Sequence, residues 1–161
     1  MLVKFSVSNF KSFRENFEID FTKVYNYDFN TECIKNNCIN NAIVYGRNGV
    51  GKSNLGFAIF DIIEHLTDKN KGERNYNNYT NAYSKNTYAE FYYEFIINKQ
   101  KIAYKYRKSN HKTIIYEAFW IENNLLASID REKDNIAVIN FEGAATLNTD
   151  LAHKQEISVL K

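Results

Sequence analysis

Gly46-Arg47-Asn48-Gly49-Val50-Gly51-Lys52-Ser53 satisfies the pattern G-x-x-x-x-G-K-[ST] at every fixed position. At average residue usage, a random chain of 161 residues contains such a match about once in 200. The flanks agree with it. Ala42-Ile43-Val44-Tyr45 is a short apolar run rich in β-branched and aromatic types, and it reads as a strand buried on both faces. Leu55, Ala58, Ile59, Ile62, Ile63 and Leu66 then recur at helical spacing. Strand, glycine loop, helix is the order that phosphate binding requires. Glycines let backbone N–H groups close around anionic oxygens, and a helix N-terminus adds its partial positive charge. In a loop of this kind Lys52 reaches the β- and γ-phosphates and the Ser53 hydroxyl holds Mg²⁺. The plainer alternative is a glycine-rich turn with no ligand.

The rest of the composition sets bounds. A length of 161 residues is that of one domain, and 44% hydrophobic residues, with 12 Phe and 12 Tyr, can fill a core. A net charge of +2 does not by itself imply a polyanionic partner. No stretch approaches the roughly 18 apolar residues of a membrane span, and Met1-Leu2-Val3-Lys4-Phe5-Ser6-Val7 alternates like a strand and not like a leader. The expectation is a cytoplasmic protein without a membrane partner. Cys33 and Cys38 lack the two further ligands of a zinc site and read as reduced thiols. Proline is absent while Asn, Lys, Ile, Tyr and Phe abound. That bias follows A/T-rich codons and argues against reading every asparagine as a cap.

Along the chain, residues 1–21 pattern as a hairpin, with Val3, Phe5 and Val7 on one strand and Phe17, Ile19 and Phe21 on the other. Residues 22–38 show no period. The strand, loop and helix fill roughly 40–66, and the polar stretch 67–87 reads as a flexible surface connection. From 88 to 141 the pattern predicts an antiparallel meander of about five strands. Residues 142–161 read as the start of a further element. One strand face gathers Lys99, Lys101, Lys105 and Arg107, a candidate nucleic-acid stripe. A two-residue turn at Asn98-Lys99 would set Glu90 opposite Arg107, and Glu94 diagonal to Lys101 and Lys105, neutralising much of it.

Three segments carry a family resemblance: Phe5-Ser6-Val7-Ser8-Asn9-Phe10-Lys11-Ser12-Phe13, then Ile19-Asp20-Phe21, then Gly46 to Ser53 followed by Asn54. Their order resembles the N-terminal lobe of an ABC-type (AAA-family) ATPase head of the SMC, RecF and OLD kind. The resemblance covers residues 1 to about 66 well and the meander more loosely. It implies an α/β fold in an α+β lobe: a P-loop NTPase half-domain made of an N-terminal hairpin, a buried strand–loop–helix unit and an antiparallel meander. It implies ATP and Mg²⁺ as cofactors, with Asn54 added to the loop set and Lys11 and Ser12 set beside the phosphates. Gln155 falls where such heads place a glutamine that touches Mg²⁺ and the attacking water, although a surface glutamine fits equally.

Several parts that hydrolysis needs do not occur. An apolar strand ending in Asp-Glu is missing: Leu125 to Glu132 holds a serine and no adjacent acidic pair, and Ile136 to Glu142 has Asn140 where Asp belongs. No L-S-G-G-Q-like signature is present. The family carries these in a C-terminal lobe, so the chain reads as the first half of an ATPase, with turnover negligible by itself. The resemblance further implies a second head as partner, in a homodimer or higher oligomer, with the nucleotide acting as a switch for an effector. A nuclease or DNA-related effector fits the bacterial anti-phage setting in which small members of this group occur. Two alternatives stand beside it. A phosphate-loop kinase or GTPase would want strands alternating with helices, and a GTPase an N-K-x-D motif. A non-catalytic domain stabilised by nucleotide needs neither.

Overall fold

The computed structural model describes residues 1–26, 28–67, 77–144, 147, 149–152 and 154–161. Alternating apolar residues build two strands at the start, β1 (Leu2–Ser8) and β2 (Phe17–Asp20), paired antiparallel with Phe5 opposite Ile19. A small hairpin follows, β3 (Ile34–Lys35) and β4 (Cys38–Ile39), turned by Asn36 and Asn37 at positive φ. The helix α1 (Lys52–Thr67) comes next, then β5 (Ala89–Ile97), β6 (Gln100–Lys108), β7 (Ile114–Ile121), β8 (Asn124–Asp130) and β9 (Val138–Ile139).

The sequence pattern separates hairpin and meander, but the structure joins them. β1 pairs with β5, so the larger sheet runs β2-β1-β5-β6-β7-β8-β9 and every pairing in it is antiparallel. The β5–β6 turn is the expected two-residue one, with Asn98 and Lys99 both at positive φ as a hairpin twist demands. Glu122 and Asn123 repeat the device between β7 and β8.

One face of this sheet carries the core. Phe5, Val7, Phe91, Tyr93, Tyr104 and Tyr106 point to it, and α1 lays Leu55 and Ala58 onto them, with Ile59, Ile62 and Leu66 alongside. Each such side chain removed from water contributes about 1.5–3 kcal/mol. The opposite face is polar and paired. Arg107 meets Glu90 at 2.7 Å, Lys105 meets Glu90 at 2.9 Å, and Lys101 meets Glu94 at 3.2 Å. The candidate basic stripe is therefore largely neutralised by cross-strand carboxylates.

The α/β half-domain expected from the loop and its flanks is overturned. Among the described residues, α1 is the single α-helix, and it packs on an antiparallel sheet. Residues 42–45 form no strand, and Ile43, Val44 and Tyr45 are 90%, 58% and 91% exposed. A run of apolar residues becomes a buried strand only where neighbours supply ladder hydrogen bonds and cover both faces. No strand pairing among the described residues includes this run, so it has neither a ladder nor covered faces. Residues 154–161, within the stretch read as the start of a further element, form turns. Residues 68–76 of the predicted connection 67–87 lie outside the described residues. Its last part, 77–87, is fastened to the N-terminal turn as set out below. No helix of the described chain is long and apolar enough to cross a membrane.

Candidate phosphate-binding site

The glycine loop opens directly into α1. Gly49 and Gly51 adopt φ of +83° and +97°, a region that side chains with a Cβ rarely enter. The carbonyl of Gly51 accepts the N–H of Leu55 at 2.9 Å, the first bond of the helix, so the N–H groups before it have no partner within α1. Lys52 folds back on its own loop and donates from Nζ to the carbonyls of Gly46 at 2.7 Å and Arg47 at 2.8 Å. Asn48, Gly49, Gly51, Lys52, Ser53 and Asn54 line a concavity of about 430 Å³. Exposed donors gathered at a helix N-terminus are suited to an anion.

The N-terminal turn is the other wall of this site. Asn54 donates from Nδ2 to Ser12 Oγ at 3.0 Å, and a Cβ placed on Gly51 would lie 2.7 Å from the same Oγ. Gly51 is thus required twice, by its φ and by the approach of Ser12. The turn is itself held hard. Asn9 and Lys11 sit at positive φ, and Phe10 and Phe13 exchange backbone bonds at 2.9 and 2.8 Å. Asn9, 1% exposed, donates to the carbonyls of Asn86 at 2.8 Å and Tyr88 at 2.6 Å and accepts the Asn81 N–H at 3.1 Å. Asn81 returns a bond to the Lys11 carbonyl at 2.6 Å. Residues 77–88 thereby brace the turn that braces the glycine loop.

The structure brings together Ser12, Asn54 and the loop 46–53, and treats the other two candidates differently. Lys11 is directed at the Asn77 carbonyl, 3.3 Å from Nζ, and lies between the rings of Phe10 and Phe57 at 5.7 and 5.8 Å. Burial there pulls its pKa below the usual lysine value. Gln155 is exposed and lines a separate concavity of about 460 Å³ with Thr113, Lys154 and Ile157, sharing no residue with the glycine loop's. Its backbone carbonyl accepts the Ile114 N–H at 2.9 Å.

Sequence reasoning missed the buried polar groups under α1. Asp61, 1% exposed, accepts from Lys108 Nζ at 2.9 Å, Tyr106 at 2.8 Å and Tyr79 at 3.0 Å. Tyr93 donates to the Ala58 carbonyl at 2.8 Å. Burial, reinforced by the Asp61 charge, holds these tyrosine hydroxyls well above their ordinary pKa, so they remain donors. A signal was present: Asp61 and His65 interrupt the apolar stripe at helical spacing, where a polar residue needs a buried partner.

No protein-family model matches the chain, and a search of curated proteins finds no similar one.

Proposed function

We propose that residues 46–54 bind the phosphates of ATP together with Mg²⁺. The single observation that carries this is the loop itself: two glycines at positive φ, a lysine folded onto the loop's own carbonyls and the open N-terminus of a helix of 16 residues, all at one concavity. Lys52 would exchange its two loop carbonyls for phosphate oxygens, and the Ser53 hydroxyl would hold the metal. The metal would neutralise phosphate charge. Ser12 and Asn54 fix the loop's shape from the side. The strand expected ahead of the loop is absent, so the reading rests on the glycine loop and the helix N-terminus alone.

We place this binding within an ABC-type ATPase of the SMC and OLD kind, on the strength of the N-terminal turn and the loop with its Asn48 and Asn54. In that setting a second head and a further lobe supply the signature motif and the acidic strand. Nucleotide-driven pairing then switches an effector, a nuclease or DNA-related partner. Supporting the role of the turn is its contact with the loop through Ser12. Lys11, engaged with Asn77 and two rings, serves to brace the turn against α1.

The test is titration with a fluorescent ATP analogue and Mg²⁺. The intact chain should bind saturably, and Lys52→Ala should weaken binding by at least about tenfold, as loss of one charge-assisted contact of roughly 1.5–3 kcal/mol requires. Equal binding by the two proteins contradicts the assignment.

A further inference from the structure

Glu117 lies in the middle of β7 with no solvent exposure, where an apolar residue would be far cheaper to bury. Donors reach it from three separate parts of the chain. His65 Nε2, from α1, lies 3.3 Å from Oε1, and Tyr104, from β6, donates its hydroxyl to the same oxygen. From the last residues, Ser158 donates its hydroxyl to Oε1 and Val159 its N–H to Oε2 at 2.9 Å. His65 also lies 2.6 Å from the Tyr104 hydroxyl and stacks on Tyr106 with ring centroids 4.3 Å apart.

The same terminal residues are gripped from a second side. Arg131, just after β8, donates from Nη2 to the carbonyls of Lys154 at 3.2 Å and Ile157 at 3.0 Å. Its positive charge also faces Glu117, whereas Asp61 and Lys108 face His65 from the neighbouring pair. Burial pulls the His65 imidazole below its usual pKa, against the opposing pull of the Glu117 carboxylate. Burial works against the Glu117 carboxylate too, but its donors outweigh it and keep the pKa low. The contacts place three donors at Oε1 and one at Oε2.

We infer that Glu117 is a clasp that makes α1 and residues 154–160 one conformational unit, so that a displacement of either is felt by the other. The helix that starts at Lys52 ends at the clasp, and Gln155 lies three residues before Ser158 in the segment it holds. Resting on the nucleotide reading above, occupancy of the loop would therefore alter how the terminal segment is seated, and seating the segment would alter affinity at the loop by the same factor.

Amide hydrogen exchange on the full chain tests this without ligand first. In Ser158→Ala, exchange over 154–160 should accelerate at least about tenfold, and exchange over 61–66 should accelerate with it, while β5 and β6 stay unchanged. Acceleration confined to 154–160, or none anywhere, overturns the clasp. Glu117→Gln should exaggerate the same pattern, and Ser158→Ala decides if that variant fails to fold. Mg·ATP is then added to the parent, with protection over 46–53 reporting binding. Altered exchange over 154–160 that is lost in Ser158→Ala extends the coupling to the loop, and protection over 46–53 alone restricts it to the ligand-free protein. Absence of protection over 46–53 contradicts the nucleotide reading, and the ligand-free comparison still decides the clasp.

Discussion

The two ends of α1 are built on opposite plans. At its C-terminal half, Asp61 and His65 are buried, and each is tied to the sheet by side chains from more than one strand or loop. At its N-terminus, among the described residues, Lys52 bonds to its own loop, Asn54 reaches Ser12 of the N-terminal turn, and residues 41–50 all stand in solvent. The difference is one of strategy within 16 residues of helix. The fastened end fixes where the helix lies. The open end leaves backbone donors exposed, which is the arrangement the proposed phosphate binding would use.

Breaking the fastened end should have the largest effect. Lys108→Met removes the ammonium from a pair in which both partners are buried and leaves Asp61 uncompensated. The expected loss is about 3–5 kcal/mol, read as a lowered midpoint in urea unfolding. At the open end, Gly51→Ala forces a side chain into φ +97° against Ser12. It should lower stability by about 1–3 kcal/mol and weaken Mg·ATP binding disproportionately, which separates site geometry from global stability.

Glu64 lies within the fastened end, between Asp61 and His65. Burial, and then the Asp61 charge, push its carboxyl up to about 7, against a partial offset from Lys108. An acid whose pKa is raised on folding binds more protons in the native state, so its contribution is fully present below about pH 4.5 and is lost as pH rises through about 7. The residue is partly exposed, and solvent screening reduces the effect to about 1 kcal/mol. The parent should lose that much stability between pH 5 and 7.5 relative to Glu64→Gln, compared by urea unfolding at each pH. A pH slope identical in the two proteins would refute the assignment. The smallest effect belongs to the outer face of the sheet. Lys101→Ala breaks a half-exposed pair with Glu94 and should change stability by no more than about 0.5 kcal/mol.

Much of this was legible from residue patterns, and what was not has identifiable causes. Strand alternation located β1, β2 and the meander, because a sheet with one buried face writes a period of two into the chain. The cross-strand pairing of Glu90 and Arg107 followed from the turn at Asn98 and Lys99. The union of β1 with β5 was not legible, since pairing across more than eighty residues leaves no local mark. Ala42 to Tyr45 misled for a related reason: apolar composition records what a segment could bury, not whether a neighbour is present. In the site, the glycines and Lys52 were legible as a motif. The clamp of Asn9 and Asn81 was hidden among the chain's many asparagines, and Gln155 lines a concavity that shares no residue with the loop's.

Under the proposed function, backbone N–H groups of the glycine loop receive phosphate, and amide chemical shifts read this most directly. Titration of the isotopically labelled chain with Mg·ATP, and separately with Mg·tripolyphosphate, should shift the amides of Gly49, Gly51, Lys52 and Ser53 first and most, with both ligands. Shifts absent from these four amides, or confined to other parts of the chain, would contradict the account.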